Sequence, residues 1–394
     1  MALKAIPVAD VPNFDHASFI PDNSTILSPT CIFSSGTLEK VEEGKKAYKL
    51  GKNFVVMGHR GSGMNILQSS DPRMKRLKEN SIISFNHAAQ FNLDFIEFDI
   101  QVTRDDCPVI FHDIHILTKD QGVISEKRVT EMTLEEFLSY GPQKASGKVG
   151  KPMLRKAKDG SIFEWKVEND APLCTLQDVF EKVDTSLGFN IELKFDDNKV
   201  YDEVELKRIL HAVLKIVDQH ADQRSHIIFS SFQPDVVQLL RKLQHDYAVF
   251  FLTNGGCEIY ADPRRNSLEA AIKHCLEAGL QGIVAQVRAI FRHPAMVAKI
   301  KESKLCLVTY GQLNNVPEAV YMQHLMGVEG VIVDCVEEIK EAVSDFSKTI
   351  RKEAEDDCSS INGTEKEERN RSPVKFSDRE LSFLLKLIPE LVQN

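Results

Sequence analysis

The sequence predicts an α/β fold in which parallel strands alternate with helices, as in a barrel or an open parallel sheet. Short apolar segments alternate with amphipathic, helix-like segments over most of the chain. Four of the apolar segments also end in polar side chains, and in such folds functional groups gather at the carboxyl ends of the strands. The length of 394 residues accommodates one barrel of about 250 residues, together with an insertion and tails.

Nine apolar segments are candidate strands, one more than an eight-stranded barrel needs. They span residues 53–58, 94–102, 107–112, 188–194, 226–231, 248–252, 281–286, 305–310 and 329–334, and helix-like stretches at 202–219, 234–244, 267–278 and 293–302 separate the later ones. The connection between Val102 and Val109 is too short for a helical crossover between parallel strands, which takes about a dozen residues. One member of that pair is therefore predicted to be a hairpin arm or an irregular extension.

Two carboxylates occupy alternate positions of one apolar segment, residues 95–100. The alternation of a strand places Glu97 and Asp99 on one face and the neighbouring apolar side chains on the other. Inward-facing carboxylates are costly unless a positive partner lies between them, and hard divalent cations prefer oxygen ligands of this kind. The pattern predicts an ion or a basic side chain at this position.

Polar residues end three further candidate strands. His59 and Arg60 follow the first strand, His112 ends the third, and Glu192 and Lys194 end the fourth. Because strand ends share one mouth in these folds, we expect all of these side chains to lie near the carboxylate pair.

At these residues the chain resembles the glycerophosphodiester phosphodiesterase family. The likeness covers about residues 53–345, in the family's order, and its later details resemble the plant plastid-type members. The residues that carry it are His59-Arg60-Gly61, Glu79-Asn80-Ser81, Phe85, Glu97, Asp99, Thr103, Asp105, the run 108–113, Glu192-Leu193-Lys194 and Ser231-Phe232, with Met64-Asn65, Thr253-Asn254-Gly255-Gly256 and Tyr310-Gly311 as the plastid-type details.

Two positions depart from the common family pattern. Asp106 stands where bacterial members usually have Gly, and Tyr310 stands where they usually have Trp in a late strand. Neither position is a metal ligand or an acid or base in the family, so the departures bear on substrate fit more than on activity.

The resemblance implies a TIM-type (β/α)8 barrel, the PLC-like phosphodiesterase barrel, over residues 53–345. It implies metal-dependent hydrolysis of glycerophosphodiesters, such as glycerophosphocholine and glycerophosphoethanolamine, to sn-glycerol 3-phosphate and an alcohol, in phospholipid breakdown and phosphate recycling. The nucleophile is either the glycerol's own hydroxyl, which gives a cyclic phosphate, or water. The resemblance also implies a plastid location, with the cytoplasm as the alternative.

The charged residues suit this chemistry, because a phosphodiester is an anion whose cleavage needs charge neutralisation. We expect Glu97, Asp99 and Glu192 to hold a divalent metal, Mg²⁺ in preference to Ca²⁺, although oxygen ligands suit both ions. Arg60 offers a planar fork of donors to the phosphate, and Lys194 a compact second positive charge.

His59 and His112 are the candidate acid and base, since imidazole titrates near neutral pH. One would activate the nucleophile and the other would protonate the leaving alkoxide. Glu79, Asn80 and Tyr310 are candidate supporting residues, and family members place Glu79 in the metal's vicinity.

Structural alternatives exist for these roles. A single His at a strand end is commonly a hydrogen-bonded structural residue, and Lys194 could serve only as a counter-ion for Glu192. Asn80 or Ser81 could simply cap a helix that begins near Ile82.

Residues 114–172 break the alternation of strands and helices, and a long connection in a compact barrel is usually functional or a small subdomain. Members of the resembled family carry an insertion here, which we expect to roof the mouth of the barrel. Trp165, Phe232 and Tyr310 are candidate contacts for glycerol or a choline head group. Phe111 is a weaker candidate, because its alternation with His112 favours core packing.

The two ends of the chain differ from the barrel region. Residues 1–52 are predicted to be a poorly ordered segment or a transit segment. Residues 346–376 are highly charged and predict a disordered linker, and residues 377–394 predict a short amphipathic helix.

Composition limits the classes of partner. With 49 basic and 58 acidic residues, the net charge of −9 argues against a general binder of nucleic acid or anionic membranes. No segment has the roughly 20 apolar residues of a membrane span, and the sequence indicates no oligomeric state. The eight cysteines form no Cys-x-x-Cys pair, which favours a reducing compartment.

Two other functions share these features. A non-catalytic glycerophosphodiester-binding scaffold on the same barrel would have no physical need for the paired histidines. An enzyme like phosphatidylinositol-specific phospholipase C would use two histidines, but it would act on membrane lipid, and the acidic chain shows no obvious membrane-facing apolar surface.

Overall fold

The computed structural model describes residues 48–346, except residues 52, 146, 158 and 221–225. The strands in this part of the chain are β1 (Val55–Gly58), β2 (Phe95–Val102), β3 (Pro108–Ile110), β4 (His115–Asp120), β5 (Val123–Arg128), β6 (Leu154–Lys156), β7 (Ile162–Glu164), β8 (Gly188–Leu193), β9 (Ile227–Ser231), β10 (Ala248–Thr253), β11 (Gly282–Gln286), β12 (Cys306–Tyr310) and β13 (Gly330–Val333). The α-helices are α1 (Ile82–Ala89), α2 (Leu134–Leu138), α3 (Leu176–Lys182), α4 (Glu203–Gln219), α5 (Pro234–Leu243), α6 (Leu268–Ala278), α7 (Val287–Arg292), α8 (Ala295–Glu302) and α9 (Pro317–Met326). Short 3₁₀ helices occupy Pro72–Lys75, Val129–Glu131, Pro263–Arg265 and Gln312–Asn315, and residues 336–346 are also helical.

Eight parallel strands form a closed barrel in the order β1-β13-β12-β11-β10-β9-β8-β2. The barrel closes because β1 pairs with both β13 and β2: Val55 lies opposite Gly330, and Met57 lies opposite Phe95. The predicted TIM-type (β/α)8 barrel is confirmed.

The third candidate strand, residues 107–112, contains the hairpin arm, which was one of the two alternatives predicted for this pair of segments. β3 runs antiparallel to β2, with Ile110 opposite Ile100. In the turn between them, the hydroxyl of Thr103 donates to Asp105 Oδ1 at 2.6 Å. Asp106 has a φ of +61°, a left-handed conformation that glycine adopts without steric cost. This backbone explains why glycine suits the position, and why Asp, which tolerates the left-handed region better than most residues, can replace it.

The apolar residues of the barrel strands divide between two clusters. The larger cluster joins outward-facing strand residues, among them Phe98 and Phe189, to helix residues such as Leu210. A second cluster joins Phe95 and Phe250 with residues from other barrel strands. The alternation along β2 therefore places Ile96, Phe98 and Ile100 toward the helices, as predicted, and the intervening side chains toward the barrel interior.

Polar side chains set several helix starts. Ser81 caps α1 by accepting a hydrogen bond from the backbone N–H of Ser84 at 3.3 Å, and Asp202 and Ser267 cap α4 and α6 in the same way. The predicted helices at 202–219 and 267–278 thus include their caps.

The insertion contains a four-stranded antiparallel sheet in the order β5-β4-β6-β7, which lies between His115 and Glu164. Phe111 packs against Phe137 and Trp165, with ring centroids 6.0 and 5.9 Å apart. The core-packing interpretation of Phe111 is confirmed. The expectation that Trp165 contacts substrate is wrong, because its ring is buried in this cluster and does not line the barrel cavity.

Several predictions concern residues that the structure does not describe. The segment 1–52 lies mostly outside the described residues, and the linker 346–376 and the C-terminal helix 377–394 lie outside them except for Phe346. Among the helices that are described, none is long and apolar enough to cross a membrane.

Candidate active site

The carboxyl ends of the barrel strands surround a cavity of about 740 Å³. Seven of the ten predicted site residues line it: His59, Arg60, Glu97, His112, Glu192, Lys194 and Tyr310. Asp99, Glu79 and Asn80 are buried and contact residues of this group. The structure therefore brings the predicted residues together at one mouth.

Three carboxylates form the centre of the site. Asp99 lies directly opposite Glu192 on the neighbouring strand β8, and Glu97 lies two residues before it on β2. One oxygen of each residue lies within 4.8 Å of the others. Burial and the nearby charge of Asp99 raise the pKa of Glu97, because a second negative charge is disfavoured beside a buried carboxylate.

The three carboxylates have the donor chemistry that a divalent metal needs. Glu97 Oε1 is buried and has no hydrogen-bond partner among the described residues, which is costly for a carboxylate unless another group binds it. Carboxylate oxygens are suitable ligands for hard divalent cations. Glu97, Asp99 and Glu192 could therefore hold a divalent metal.

Two cations flank the acidic cluster. Arg60 is buried, with Nη1 2.7 Å from Glu79 Oε1 and Nε 3.4 Å from Asp99 Oδ2. Lys194 Nζ lies 2.7 Å from Glu192 Oε1 and 3.6 Å from Asp99 Oδ1. Lys194 is thus a counter-ion for Glu192, as one interpretation of the sequence predicted, and it also lines the cavity.

His59 is held by a partner that the sequence analysis missed. Its Nδ1 lies 2.7 Å from Asp334 Oδ1, and its Nε2 lies 3.9 Å from Glu97 Oε2. Asp334 also accepts hydrogen bonds from the Met64 backbone N–H at 3.0 Å and from Asn315 Nδ2 at 2.9 Å. Burial disfavours the charged imidazole, but the Asp334 carboxylate outweighs burial, so the pKa of His59 is raised.

His112 has the opposite electrostatic environment. Its Nδ1 lies 2.7 Å from Oδ1 of the next residue, Asp113. Burial and the positive charges of Arg60 and Lys194 lower the pKa of His112 well below its ordinary value. The two histidines at the mouth of one cavity therefore favour different protonation states.

Glu79 and Asn80 support the charged residues around them. Glu79 binds Arg60 on one oxygen and Arg155, at 2.8 Å, on the other. Asn80 Nδ2 donates to Asp99 Oδ2 at 2.8 Å. Of the two residues considered as helix caps, Ser81 is the cap, and Asn80 orients a carboxylate of the acidic cluster.

Tyr310 and Phe232, two of the candidate substrate contacts, form an aromatic part of the cavity wall. Their rings pack edge to face with centroids 5.9 Å apart. The hydroxyl of Tyr310 donates to Asn254 Oδ1. Burial and the nearby Glu192 raise the pKa of Tyr310 well above its ordinary value, so this wall presents a neutral phenol.

Sequence reasoning missed Asp334 and Arg155. The signal for Asp334 was present, because it ends the last candidate strand and obeys the same strand-end rule as the other site residues. Arg155 lies on β6 of the insertion, where the sequence shows no clear period, and no comparable signal indicated it.

Comparisons with known proteins agree with this geometry. Residues 59–338 match the profile of the Glycerophosphoryl diester phosphodiesterase family. The chain is 57% identical, over the full length of both proteins, to glycerophosphodiester phosphodiesterase GDPD1, chloroplastic, of Arabidopsis thaliana. That likeness supports a plastid location by resemblance.

Solved structures show the same fold at lower identity. A putative glycerophosphoryl diester phosphodiesterase from Silicibacter pomeroyi has a TM-score of 0.57 at 19% identity, covering 77% of this chain and 96% of the other. A phosphodiesterase from Oleispira antarctica, solved in complex with the product sn-glycerol-3-phosphate, has a TM-score of 0.52 at 18% identity, covering 74% and 96%. On the family match and the full-length identity, the chain belongs to the glycerophosphoryl diester phosphodiesterase family and is a hydrolase.

Proposed function

We propose that the chain hydrolyses glycerophosphodiesters such as glycerophosphocholine and glycerophosphoethanolamine, and that it releases sn-glycerol 3-phosphate and the free alcohol. The observation that carries this proposal is the pair of histidines, with pKa values shifted in opposite directions, beside one buried carboxylate cluster. Groups whose environments push their pKa values apart are suited to act as acid and base. The reaction would serve phospholipid breakdown and phosphate recycling, because its product retains the phosphate.

Glu97, Asp99 and Glu192 would hold the divalent metal, and we favour Mg²⁺ over Ca²⁺. The unpartnered Oε1 of Glu97 supports this role, since it is a buried acceptor that still needs a cation. A metal bound there would neutralise charge on the phosphoryl oxygens.

Lys194 and Arg60 would stabilise the negative charge of the phosphodiester. Lys194 lines the cavity, and its ammonium has three donors, one of which Glu192 Oε1 accepts, while Arg60 is fixed by Glu79. Buried positive groups that are already in position need no reorganisation when charge develops in the transition state.

His112, neutral at physiological pH because its pKa is lowered, would accept the proton of the nucleophile. His59, whose pKa is raised beside Asp334, would donate a proton to the leaving alcohol oxygen. If the glycerol hydroxyl is the nucleophile, the cyclic phosphate is then opened by water, with the two histidines exchanging roles. If water attacks directly, one cycle of the same transfers completes the reaction.

The test is to incubate the purified chain with glycerophosphocholine and to quantify sn-glycerol 3-phosphate and choline. We expect both products in equal amounts, loss of release with EDTA, and recovery when Mg²⁺ is restored. Ca²⁺ is added in a parallel sample to compare the two ions. No release from a panel of glycerophosphodiesters with either ion would contradict the proposal, and EDTA-resistant release would contradict its metal dependence.

A further inference from the structure

The insertion supplies a side chain to the cavity formed by the barrel strands. Arg155, on β6, lines the cavity together with His112 and Asp113. Its side chain is 12% exposed, so its charge is largely removed from bulk water. A buried guanidinium needs partners, and its partners are residues of the barrel mouth.

Arg155 forms ion pairs with two carboxylates: that of Glu79, which also binds Arg60, and that of Asp113, which also contacts His112. Its Nη1 lies 2.8 Å from Glu79 Oε2, and its Nη2 lies 3.2 Å from Asp113 Oδ1. That same oxygen of Asp113 lies 2.7 Å from His112 Nδ1. The contacts therefore run from the guanidinium through Asp113 to the imidazole.

The guanidinium is itself fixed on its other sides. It lies over the indole ring of Trp165, 4.3 Å from the centroid, and Nη1 also donates to the backbone oxygen of Asn65 at 3.1 Å. Trp165 Nε1 donates to Asn65 Oδ1 at 3.1 Å. These contacts give the planar group one orientation, so it can fix the carboxylates that it binds.

We propose that Arg155 is a positioning residue for His112. By holding Asp113 against Nδ1, it fixes the imidazole with Nδ1 as the donor, which leaves Nε2 as the nitrogen that accepts a proton. The insertion is then a part of the active site that completes the proton-transfer geometry. The inference rests on the proposed function, because it assigns proton transfer to His112.

A purely structural role for Arg155 would have a different consequence for His112. If Arg155 only neutralised Glu79, its loss would lower stability and leave the contact between His112 and Asp113 intact. Glu79 would also keep its ion pair with Arg60. The two roles therefore differ in what happens at His112.

The kinetic test compares Arg155→Met, Asp113→Asn and the double variant, with Lys119→Met as the control. Lys119 is an exposed residue on β4 of the same insertion. Because positioned proton transfer contributes about 10²–10⁴-fold to rates, we expect Arg155→Met to lower kcat about 10- to 100-fold and to change KM for glycerophosphocholine less than about threefold. We expect the double variant to match the more impaired single variant within about threefold.

Multiplicative losses in the double variant, or a kcat for Arg155→Met within about twofold of the wild type, would overturn the inference. Thermal unfolding of each variant checks the fold. If Arg155→Met does not fold, Arg155→Lys serves in the same cycle, since it keeps the positive charge and loses the fork that binds both carboxylates.

A second readout does not depend on turnover. In ¹⁵N NMR of the histidine rings, with the His112 signals assigned from a His112→Asn sample, the wild type is expected to show one tautomer with the proton on Nδ1. Arg155→Met is expected to lose that fixed tautomer, while Lys119→Met keeps it. A fixed Nδ1–H tautomer in Arg155→Met would overturn the positioning role. An inactive wild type with the expected NMR difference would instead contradict the proposed function.

Discussion

Nδ1 of His59 lies 2.7 Å from Oδ1 of Asp334, although 275 positions separate the two residues in the chain. The barrel makes this contact possible, because β1 and β13 are neighbours and His59 and Asp334 directly follow their carboxyl ends. The ion pair leaves Nε2 of the ring on the side of Glu97, 3.9 Å from Oε2. Closure of the sheet therefore orients a candidate catalytic residue.

Asp334→Asn tests this orientation. An amide keeps the size of the side chain but removes the charge that raises the pKa of His59. We expect kcat on glycerophosphocholine to fall about 100-fold, since positioned acid–base groups contribute about 10²–10⁴-fold, with little change in KM. Asp120→Asn, at an exposed position of the insertion, is the matched control. A kcat for Asp334→Asn equal to that of the control would contradict the role of this ion pair.

The pH dependence of kcat follows from the two histidines. His112 must be neutral and has a lowered pKa, so activity is lost as pH falls through a value below the ordinary 6.5. His59 must be protonated and has a raised pKa, so activity is lost as pH rises through a value above 6.5. We expect a bell-shaped profile of kcat against pH in saturating substrate and Mg²⁺. In Asp334→Asn, the alkaline decline should begin at a lower pH, because the pKa of His59 is no longer raised by Asp334. A profile that keeps rising into alkaline pH would contradict the assignment.

Glu97→Gln tests the metal site without requiring turnover. In the wild type, Mg²⁺ at 100 times its Kd should stabilise the fold by about 2.7 kcal/mol, seen as a rise in Tm. The variant should lose most of this rise, because it removes one ligand charge. Its metal-free Tm should equal or exceed that of the wild type, since repulsion from the buried Asp99 is relieved. An unchanged Mg²⁺-dependent rise would place the metal elsewhere.

Gly63 packs against the backbone of Asp334. Its φ is +113°, and a Cβ there would lie 2.6 Å from the Asp334 carbonyl oxygen. Gly122 also has a positive φ, +88°, but a Cβ there would meet no atom within 4 Å. We expect Gly122→Ala to cost about 1 kcal/mol of unfolding free energy and Gly63→Ala about 1–3 kcal/mol more. Denaturant unfolding measures both, and equal costs would contradict the close packing.

Local sequence patterns predicted those features of the site that depend on a single strand or on one short connection. Alternation alone placed Glu97 and Asp99 on the same face of one strand. The short connection predicted that one of the two neighbouring segments is a hairpin arm or an irregular extension, and β3 is the hairpin arm. Contacts between distant segments were harder to predict, because they depend on which strands become neighbours. Asp334 was not paired with His59 for this reason, although both ended candidate strands. Arg155 could not be predicted, since the irregular insertion gave no indication that β6 faces the barrel mouth.

The roles of the two histidines are tested by the turnover of His59→Ala and His112→Ala on glycerophosphocholine in saturating Mg²⁺, measured as sn-glycerol 3-phosphate release. Both side chains are partly exposed, so the fold should persist, and an unchanged Tm in each variant checks this. We expect each variant to lose about 99% or more of kcat, because each removes one of the two proton-transfer groups. Turnover near the wild-type rate in both folded variants would contradict these roles.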